Sequence, residues 1–285
     1  MKLRPLTPIL GLEISNIELD SCSTQYAKDV IRPLLVEHKL LVFRGQRHMT
    51  GEAHVRIAGA LGALELFAGA LQDHPGLVRI THGPESPPTE NIWHSDMSFR
   101  EEPPMGAVLR AVSIPPSGGD TLFADMRYAL SRLPSAVRQF IENLDASHNV
   151  AKCAPDSAKA ELASALPPVV HPVVRLHPET HEELLYVNSA YTTHIVGLDE
   201  GDSSALLRLL FGQVLVPESQ CRVRWTDETV VMWDNRALQH YAVGDYMPAT
   251  RIMERSSLAG DRPVGLNWAL VSASGGPPCE SALPL

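Results

Sequence analysis

The 285-residue sequence has few cysteines, an excess of acidic over basic residues and no long apolar run, and each shortage excludes a class of protein. Its four cysteines lie far apart without a CxxC pair, which argues against a zinc ribbon or thioredoxin-like site and favours a reducing compartment. A net charge of −9 disfavours nucleic acid or an anionic membrane as partner. Because neither a signal-like start nor about 18 consecutive apolar residues occur, we expect a cytoplasmic protein without a membrane span.

Familiar nucleotide and hydrolase motifs are also missing. The sequence contains no GxGxxG, GxSxG or P-loop pattern, so dinucleotide binding, a hydrolase triad and nucleotide triphosphate hydrolysis have no support. Three histidines, His171, His177 and His181, lie close together, but Pro178 interrupts the helical spacing that a zinc site would need. We therefore expect His171 and His177 to be buried, hydrogen-bonded structural residues.

Apolar spacing predicts a mostly β protein with flanking helices, in one domain over residues 1–285. Helices are predicted at 24–38, 50–61, 125–144 with a break at Pro134, and 202–215. Strands are predicted at 39–43, 77–81, 92–99, 106–114, 169–175, 184–188, 221–225, 229–233 and 238–243. Such short strands are typical of a sandwich or barrel. Segment 83–91 is rich in Pro, Ser and Glu, and segment 151–168 has no clear period, so both are predicted to be loops that could act as lids.

The segment WHSDMSF contains candidate metal ligands. His94 and Asp96 are two residues apart, and on a strand such residues project to one face, where an imidazole and a carboxylate could reach one ion. A second histidine from another strand would complete the two-histidine, one-carboxylate set that suits non-haem Fe(II). His240 lies in a strand-like run and is the candidate. An HxD triplet alone arises often by chance, so the prediction depends on its context.

A pair of arginines and a threonine supply that context. Arg251 and Arg255 are four residues apart, so a strand would place both guanidinium groups on one face. Two cations aimed into one cavity are unfavourable unless anions occupy it. Thr121 follows a glycine turn in PPSGGDTLFAD, and its hydroxyl could donate to a carboxylate that Arg251 binds.

Seven segments in order resemble the TauD/TfdA family of Fe(II)- and 2-oxoglutarate-dependent dioxygenases, over most of the chain. They are LLVFRGQ, WHSDMSF, PPSGGDTLFADM, HPVVRLHP, LYVN, WDNR and HYAVGDYMPATRIMERSSLAGDRP. The resemblance implies a double-stranded β-helix, which is a cupin-like jelly roll of the clavaminate synthase-like type. It also implies a homo-oligomer, either a dimer or a tetramer.

The resemblance assigns roles to the candidate residues. His94, Asp96 and His240 would ligate Fe(II), with 2-oxoglutarate and O2 as cosubstrates. Thr121 and Arg251 would bind the distal carboxylate of 2-oxoglutarate, whose other end chelates the iron. These roles are what membership of the family would imply for this chain.

The resemblance also bears on the substrate. Arg255 would bind the anionic head of a small organic substrate and would also touch the cosubstrate. Because Asp96 is a carboxylate and neither Ala nor Gly, hydroxylation is favoured over halogenation, with release of succinate and CO2. A substrate-binding histidine of taurine dioxygenases aligns with Phe67 here, which argues against taurine and predicts a more apolar substrate body.

Several alternatives remain open at this point. The substrate could be a sulfonate, a sulfate ester, an aryloxyalkanoate or an amino-acid-like acid. The chain could instead carry out desaturation or another oxidative step in a biosynthetic pathway. It could also be a non-catalytic jelly-roll protein that senses a small acid.

Overall fold

The computed structural model of the protein describes residues 1–67 and 69–266. Its strands are β1 Lys2–Pro5, β2 Leu12–Ser15, β3 Leu40–Phe43, β4 Ala70–Leu71, β5 His74–His82, β6 Gly106–Ser113, β7 Thr121–Asp125, β8 Asp145–His148, β9 Val169–Pro172, β10 Val174–Leu176, β11 Glu183–Leu185, β12 Thr192–Ile195, β13 Gln220–Val223, β14 Val230–Asp234, β15 Leu238–Ala242 and β16 Arg251–Leu258. The helices are α1 Thr24–Tyr26, α2 Arg32–His38, α3 Gly51–Leu61, α4 Met126–Ser131, α5 Ser135–Ile141, α6 Asp156–Ala165 and α7 Glu200–Phe211.

The strands of the described residues form four sheets. The largest has eight strands in the order β1-β2-β3-β14-β6-β16-β5-β4, and smaller sheets have the orders β13-β7-β15, β12-β8-β9 and β10-β11. Pairing is antiparallel except between β2 and β3. The protein is therefore mostly sheet with helices outside, as the apolar spacing predicted. The prediction of one domain over 1–285 extends beyond the described residues and stays a prediction.

The middle of the large sheet, at β3 and β14, is buried on both faces, which explains the continuous apolar run in β3. Leu41 and Phe43 pack in the core beneath the helices, whereas Leu40 and Val42 pack in a second core against Phe123 of the β13-β7-β15 sheet. Alternate residues of a strand point to opposite faces, so a strand between two layers needs apolar residues throughout. The second core places the two sheets face to face.

The helices mostly follow their sequence signals. The Thr50 side chain accepts a hydrogen bond from the Ala53 amide and caps α3. Pro134 separates α4 from α5, as predicted. The helix predicted at 24–38 forms as α1 and α2 joined by a π-helical turn, Ala27–Ile31. Pro33 follows this turn, and its missing N–H removes one helical hydrogen bond there, which accounts for the wider turn.

Three predictions of local structure were wrong. Residues 92–99 do not form a strand, because their pairing is limited to one bridge between His94 and His240. Residues 151–168 contain helix α6, since the run DSAKAELASA has a high helix propensity that its weak periodicity concealed. Helix α7 begins earlier than predicted, because Asp199 caps it by accepting from the Asp202 amide. Within the described ranges, no helix has the length and apolar character to cross a bilayer.

The structural role predicted for two histidines is confirmed. His171 is buried and hydrogen bonds to the Arg100 carbonyl oxygen at 2.9 Å, and His177 is buried 3.0 Å from Oδ2 of Asp234. Arg236 donates from Nε and Nη2 to the same Asp234 carboxylate, at 2.9 and 2.6 Å. Burial alone would raise the pKa of Asp234, but hydrogen bonds from Arg236 and His177 hold that pKa well below its usual value.

Replacing this buried carboxylate should therefore destabilise the fold in a pH-dependent way. At pH 7 we expect Asp234→Asn to lower the free energy of unfolding by about 3 kcal/mol, because the variant leaves Arg236 partly unpaired. A carboxylate with a lowered folded-state pKa stabilises the fold above the unfolded pKa of about 3.9, and that contribution fades as pH falls further. Urea unfolding of the parent protein and of Asp234→Asn, at pH values from about 3 to about 7, measures the difference in their free energies of unfolding. Exposed Asp29→Asn is the control, and a difference independent of pH would contradict the argument.

Candidate active site

The three predicted metal ligands converge although they are far apart in sequence. Nε2 of His94 lies 3.7 Å from Oδ1 of Asp96, and Nε2 of His240 lies 3.8 Å from the same oxygen. One ligand atom from each residue lies within 4.8 Å of the others, and all three residues are buried. The arrangement could hold a metal ion.

Backbone pairing brings the two imidazoles together. The His94 amide donates to the His240 carbonyl at 3.0 Å, and the His240 amide donates back at 2.8 Å. The ring centroids are 4.1 Å apart as a result. Asp96 reaches the same point by a turn and not along a strand face, because the next residue, Met97, has a φ of 49°. The predicted convergence is therefore present, but the strand geometry proposed for it was wrong.

The donor atoms fit a divalent iron ion. Nδ1 of His94 lies 2.7 Å from the Ile92 carbonyl oxygen, which requires an N–H at Nδ1 and leaves the Nε2 lone pair free on the side of Asp96. Nδ1 of His240 is buried without a hydrogen-bond partner among the described residues. Two imidazole nitrogens and one carboxylate oxygen are a set that suits non-haem Fe(II).

The protonation states suit metal binding as well. Burial would raise the pKa of Asp96, but the charge of Arg255, the nearby histidines and the Arg255 hydrogen bond hold that pKa well below its usual value. Burial, together with the neighbouring His94, lowers the pKa of His240 to about 3. The site therefore presents an ionised carboxylate and a neutral imidazole, the forms that bind a metal ion.

Arg255 lies beside the candidate ligands. Its Nη1 and Nη2 donate to the two oxygens of Asp96, at 3.2 and 2.6 Å, and its guanidinium lies 5.3 Å from the ring centroid of Trp233. Arg255 and Arg251 both line one cavity, as their spacing on a strand predicted. The contact between Arg255 and a substrate stays a prediction.

Arg251 and Thr121 form a polar end of that cavity. Arg251 is buried, and its Nε and Nη2 atoms have no hydrogen-bond partner in the part of the chain that the structure describes. The guanidinium lies 5.4 Å from the Trp225 ring centroid. The Trp225 indole donates to Thr121 Oγ1 at 3.0 Å, so the hydroxyl proton remains available to donate elsewhere. Buried, unpartnered donors of this kind fit a carboxylate.

A glycine pair lets the preceding turn approach Arg251. Gly118 and Gly119 have φ values of 78° and 71°, which residues other than glycine rarely adopt. A Cβ at Gly119 would also lie 3.2 Å from the Tyr246 ring and 3.3 Å from Cδ of Arg251. The turn in PPSGGDTLFAD therefore packs closely against the arginine that Thr121 accompanies.

The cavity joins this polar end to the candidate metal ligands and has a volume of about 100 Å³. Its apolar wall includes Ile80, Leu109, Phe123, Trp233 and Met253. A cationic end, an apolar middle and a metal-binding end match the chemistry of 2-oxoglutarate, which has a carboxylate, two methylene groups and a keto acid in that order. The residues present therefore fit both the ion and the cosubstrate.

Sequence reasoning missed three contributors to the site. Trp225 was assigned to a strand with no indication of its bond to Thr121, which is 104 residues away. Asn235 lies in the WDNR segment, whose sequence indicates no role for it, yet its side chain hydrogen bonds to the backbone of Asp96. Glu90, from the predicted lid 83–91, lines the cavity and lies 3.1 Å from His82 Nε2. Of these, only Asn235 lay in a segment that the family resemblance had marked.

Comparisons with known proteins agree with this site. Residues 2–257 match the family described as taurine catabolism dioxygenase TauD, TfdA family. An alkylsulfatase from Acinetobacter baylyi is 35% identical over 93% of this chain and 87% of its own. An alpha-ketoglutarate-dependent sulfate ester dioxygenase from Pseudomonas putida is 34% identical over 95% of this chain and 93% of its own. The structure of AAD-2 in complex with Mn(II) and N-oxalylglycine is similar with a TM-score of 0.81 and 26% identity, covering 93% of this chain and 100% of that one.

The site and these similarities define a 2-oxoglutarate-dependent dioxygenase that uses Fe(II) and O2. The chain belongs to the TauD/TfdA family. The prediction of an enzyme is thereby confirmed, and a non-catalytic sensor is not supported.

Proposed function

We propose that the protein hydroxylates a small anionic organic substrate and releases succinate and CO2. The observation that carries this proposal is one cavity lined by His94, His240 and Arg251, whose Nε and Nη2 atoms have no hydrogen-bond partner among residues 1–67 and 69–266. Relatives named for sulfate esters make this class the first to test among sulfonates, sulfate esters, aryloxyalkanoates and amino-acid-like acids. Hydroxylation of the carbon that bears a sulfate would let the product separate into an aldehyde and sulfate.

The proposed residue roles follow from placement and charge. His94, Asp96 and His240 would hold Fe(II), which supplies the oxidising chemistry by activating O2 as 2-oxoglutarate is decarboxylated to succinate. Arg251 and Thr121 would bind the distal carboxylate and so fix the cosubstrate's position along the cavity. The apolar wall would exclude water from its methylene groups.

The substrate is proposed to have an apolar body beside an anionic head. The Tyr191 ring stands edge-on to His94 with centroids 6.4 Å apart, and Phe99 lies 5.0 Å from Tyr191. Phe67, which aligns with a substrate-binding histidine of taurine dioxygenases, lies 5.7 Å from the guanidinium of Arg100. These aromatic rings favour alkyl or aryl groups over a second polar group.

The finer architecture and assembly belong to the same proposal. Two sheets that face each other across a core, with the candidate site between them, support a double-stranded β-helix. Three further points remain predictions from the sequence. The protein is expected to be a homo-oligomer and to be cytoplasmic. Its partner is expected to be a small molecule, and neither nucleic acid nor a membrane.

Two measurements test the proposed function. Anaerobic addition of Fe(II) and 2-oxoglutarate should produce a weak visible metal-to-ligand charge-transfer band. Succinate release should then increase with one class in a panel of alkyl sulfates, alkylsulfonates, aryloxyacetates and amino acids, and analysis of the product would distinguish hydroxylation from desaturation. A folded, metal-loaded protein that shows no band would overturn the proposal.

Removing the Arg255 side chain should separate substrate binding from cosubstrate binding. We expect Arg255→Ala to keep the charge-transfer band but to raise the KM for the anionic substrate about 10-fold or more, because a charged hydrogen bond is lost. Steady-state succinate release and anaerobic titration with 2-oxoglutarate measure the two effects. Arg255→Lys keeps the charge without the bidentate geometry and should fall between. Equal loss of both signals would contradict the role given to Arg255.

A further inference from the structure

Asp96 lies outside any strand, so its position must be fixed by something other than a sheet. Backbone pairing ends at His94, and Met97, with its φ of 49°, turns the chain away from β15. An Asp ligand in such a turn has no ladder hydrogen bonds to orient it. Within the described residues, the partner of both its backbone groups is the side chain of Asn235.

The Asn235 amide binds the backbone on both sides of the Asp96 Cα. Its Oδ1 accepts from the Asp96 N–H at 2.7 Å, and its Nδ2 donates to the Asp96 carbonyl at 3.1 Å. These groups belong to the two planar peptide units that flank the Asp96 Cα, so fixing both units fixes φ and ψ of Asp96. The direction of the Asp96 Cα–Cβ bond, from which the carboxylate extends, follows from these two angles.

Asn235 is itself held firmly. It is 1% exposed, and its Nδ2 also donates to the Pro104 carbonyl at 2.9 Å. Its backbone N–H donates to the carbonyl oxygen of Met105. The preceding residue, Asp234, ends strand β14 and is fixed by Arg236. The side-chain amide of Asn235 therefore links the turn that carries Asp96 to the end of strand β14 in the large sheet.

We propose that Asn235 is the positioning residue for the carboxylate metal ligand, an inference that rests on the proposed role of Asp96 in binding iron. Asn235 binds the backbone of Asp96 on both sides of its Cα, whereas Arg255 contacts only the carboxylate oxygens, which a bound metal ion would also hold. Residues that orient a metal ligand from behind commonly change metal affinity about 10- to 100-fold when they are replaced. Asn235 touches none of the candidate reacting groups.

The chain offers a matched control at Gln46. This side chain is 6% exposed and also makes three hydrogen bonds to backbone, accepting from Leu19 N and donating to the carbonyls of Ile17 and Arg44, at 2.8, 2.8 and 2.9 Å. It lies away from the metal candidates. A loss of general stability should therefore be similar in Asn235→Ala and Gln46→Ala, whereas a positioning role would affect metal binding in the first alone.

The experiment measures Mn(II) binding to the full chain by electron paramagnetic resonance, together with thermal unfolding without metal. We expect Asn235→Ala to raise the Mn(II) dissociation constant about 10- to 100-fold, with Gln46→Ala close to the parent protein. Asn235→Asp keeps an oxygen that can accept from the Asp96 amide but loses the amide donor, so its dissociation constant should lie between those of the parent and Asn235→Ala.

The outcomes separate this inference from the proposed function. If Asp96→Ala loses Mn(II) while Asn235→Ala binds it like Gln46→Ala, the inference is wrong and the proposed metal site stands. If Asp96→Ala binds Mn(II) like the parent, both are wrong. Should Asn235→Ala fail to fold, Asn235→Asp decides the question, and a dissociation constant equal to that of the parent overturns the inference.

Discussion

Replacing His94 by alanine should abolish the charge-transfer band and reduce succinate release about 1000-fold or more, because the chemistry depends on the bound iron. His94 supplies one of only three candidate protein ligands that the described residues place together. Its Nδ1–H bond to the Ile92 carbonyl fixes the tautomer that presents Nε2, and Asp96 and His240 each supply a different atom of the same candidate set. Anaerobic titration with Fe(II) and 2-oxoglutarate, followed by a succinate assay, measures both effects.

A matched control distinguishes this loss from general damage. His54 is fully buried, hydrogen bonds to the Val108 carbonyl at 3.0 Å and is not among the candidate ligands. His54→Ala should lower the melting temperature about as much as His94→Ala yet retain the band. A His94→Ala protein that still produced the band at the parent intensity would remove the basis of the metal site.

The residues of the site could be predicted from sequence because few residue types can do their chemistry. Two histidines and a carboxylate are the usual protein ligands of non-haem iron, and a buried arginine is the usual partner of a carboxylate. The apolar run of β3 and the Thr50 cap of α3 were readable for a similar reason, since each rests on local spacing. Local patterns therefore predicted the elements and the candidate residues, whereas the family resemblance assigned those residues their roles.

The geometry between those residues could not be predicted, because it depends on contacts between distant parts of the chain. A two-residue spacing fits a strand, but residues 92–99 turn after Asp96 because Asn235, 139 residues away, supplies the hydrogen bonds that a strand would otherwise provide. The hydrogen bond from the Trp225 indole to Thr121 also joins residues that are far apart in the chain. Asparagine and tryptophan occur in many structural roles, so neither residue type alone indicates a contribution to a site.

Helix α6 shows a different limit. Its Ala-rich sequence favours a helix, but its apolar residues do not form a clear stripe, so periodicity alone predicts a loop there. In the same segment, Sγ of Cys153 lies 2.7 Å from the carbonyl oxygen of Ala190, next to Tyr191, whose ring stands edge-on to His94. The segment predicted as a lid therefore adjoins the candidate site, although it is ordered as a helix.

Replacing Arg251 by alanine should raise the dissociation constant of 2-oxoglutarate about 30-fold or more while leaving the metal ligands in place. Loss of one partner from a buried charged pair costs about 2–5 kcal/mol, and the lower value corresponds to that factor. Burial lowers the pKa of Arg251, but the nearby Tyr246, Glu90 and Asp120 oppose this effect, so the side chain remains a cation that a dianion can bind. Anaerobic titration of the charge-transfer band with 2-oxoglutarate gives the constant.

Exposed Arg224, 4.0 Å from Asp120, provides the control for loss of positive charge near the same end of the cavity. Arg224→Ala should leave the dissociation constant of 2-oxoglutarate nearly unchanged, because solvent screens a surface charge. Mn(II) affinity should be unaffected in both variants, since neither arginine contacts a candidate ligand. If Arg224→Ala weakened 2-oxoglutarate binding as much as Arg251→Ala, the cosubstrate would depend on the overall field of the cavity and not on a direct bond to Arg251. Unchanged 2-oxoglutarate binding in Arg251→Ala would place the distal carboxylate elsewhere.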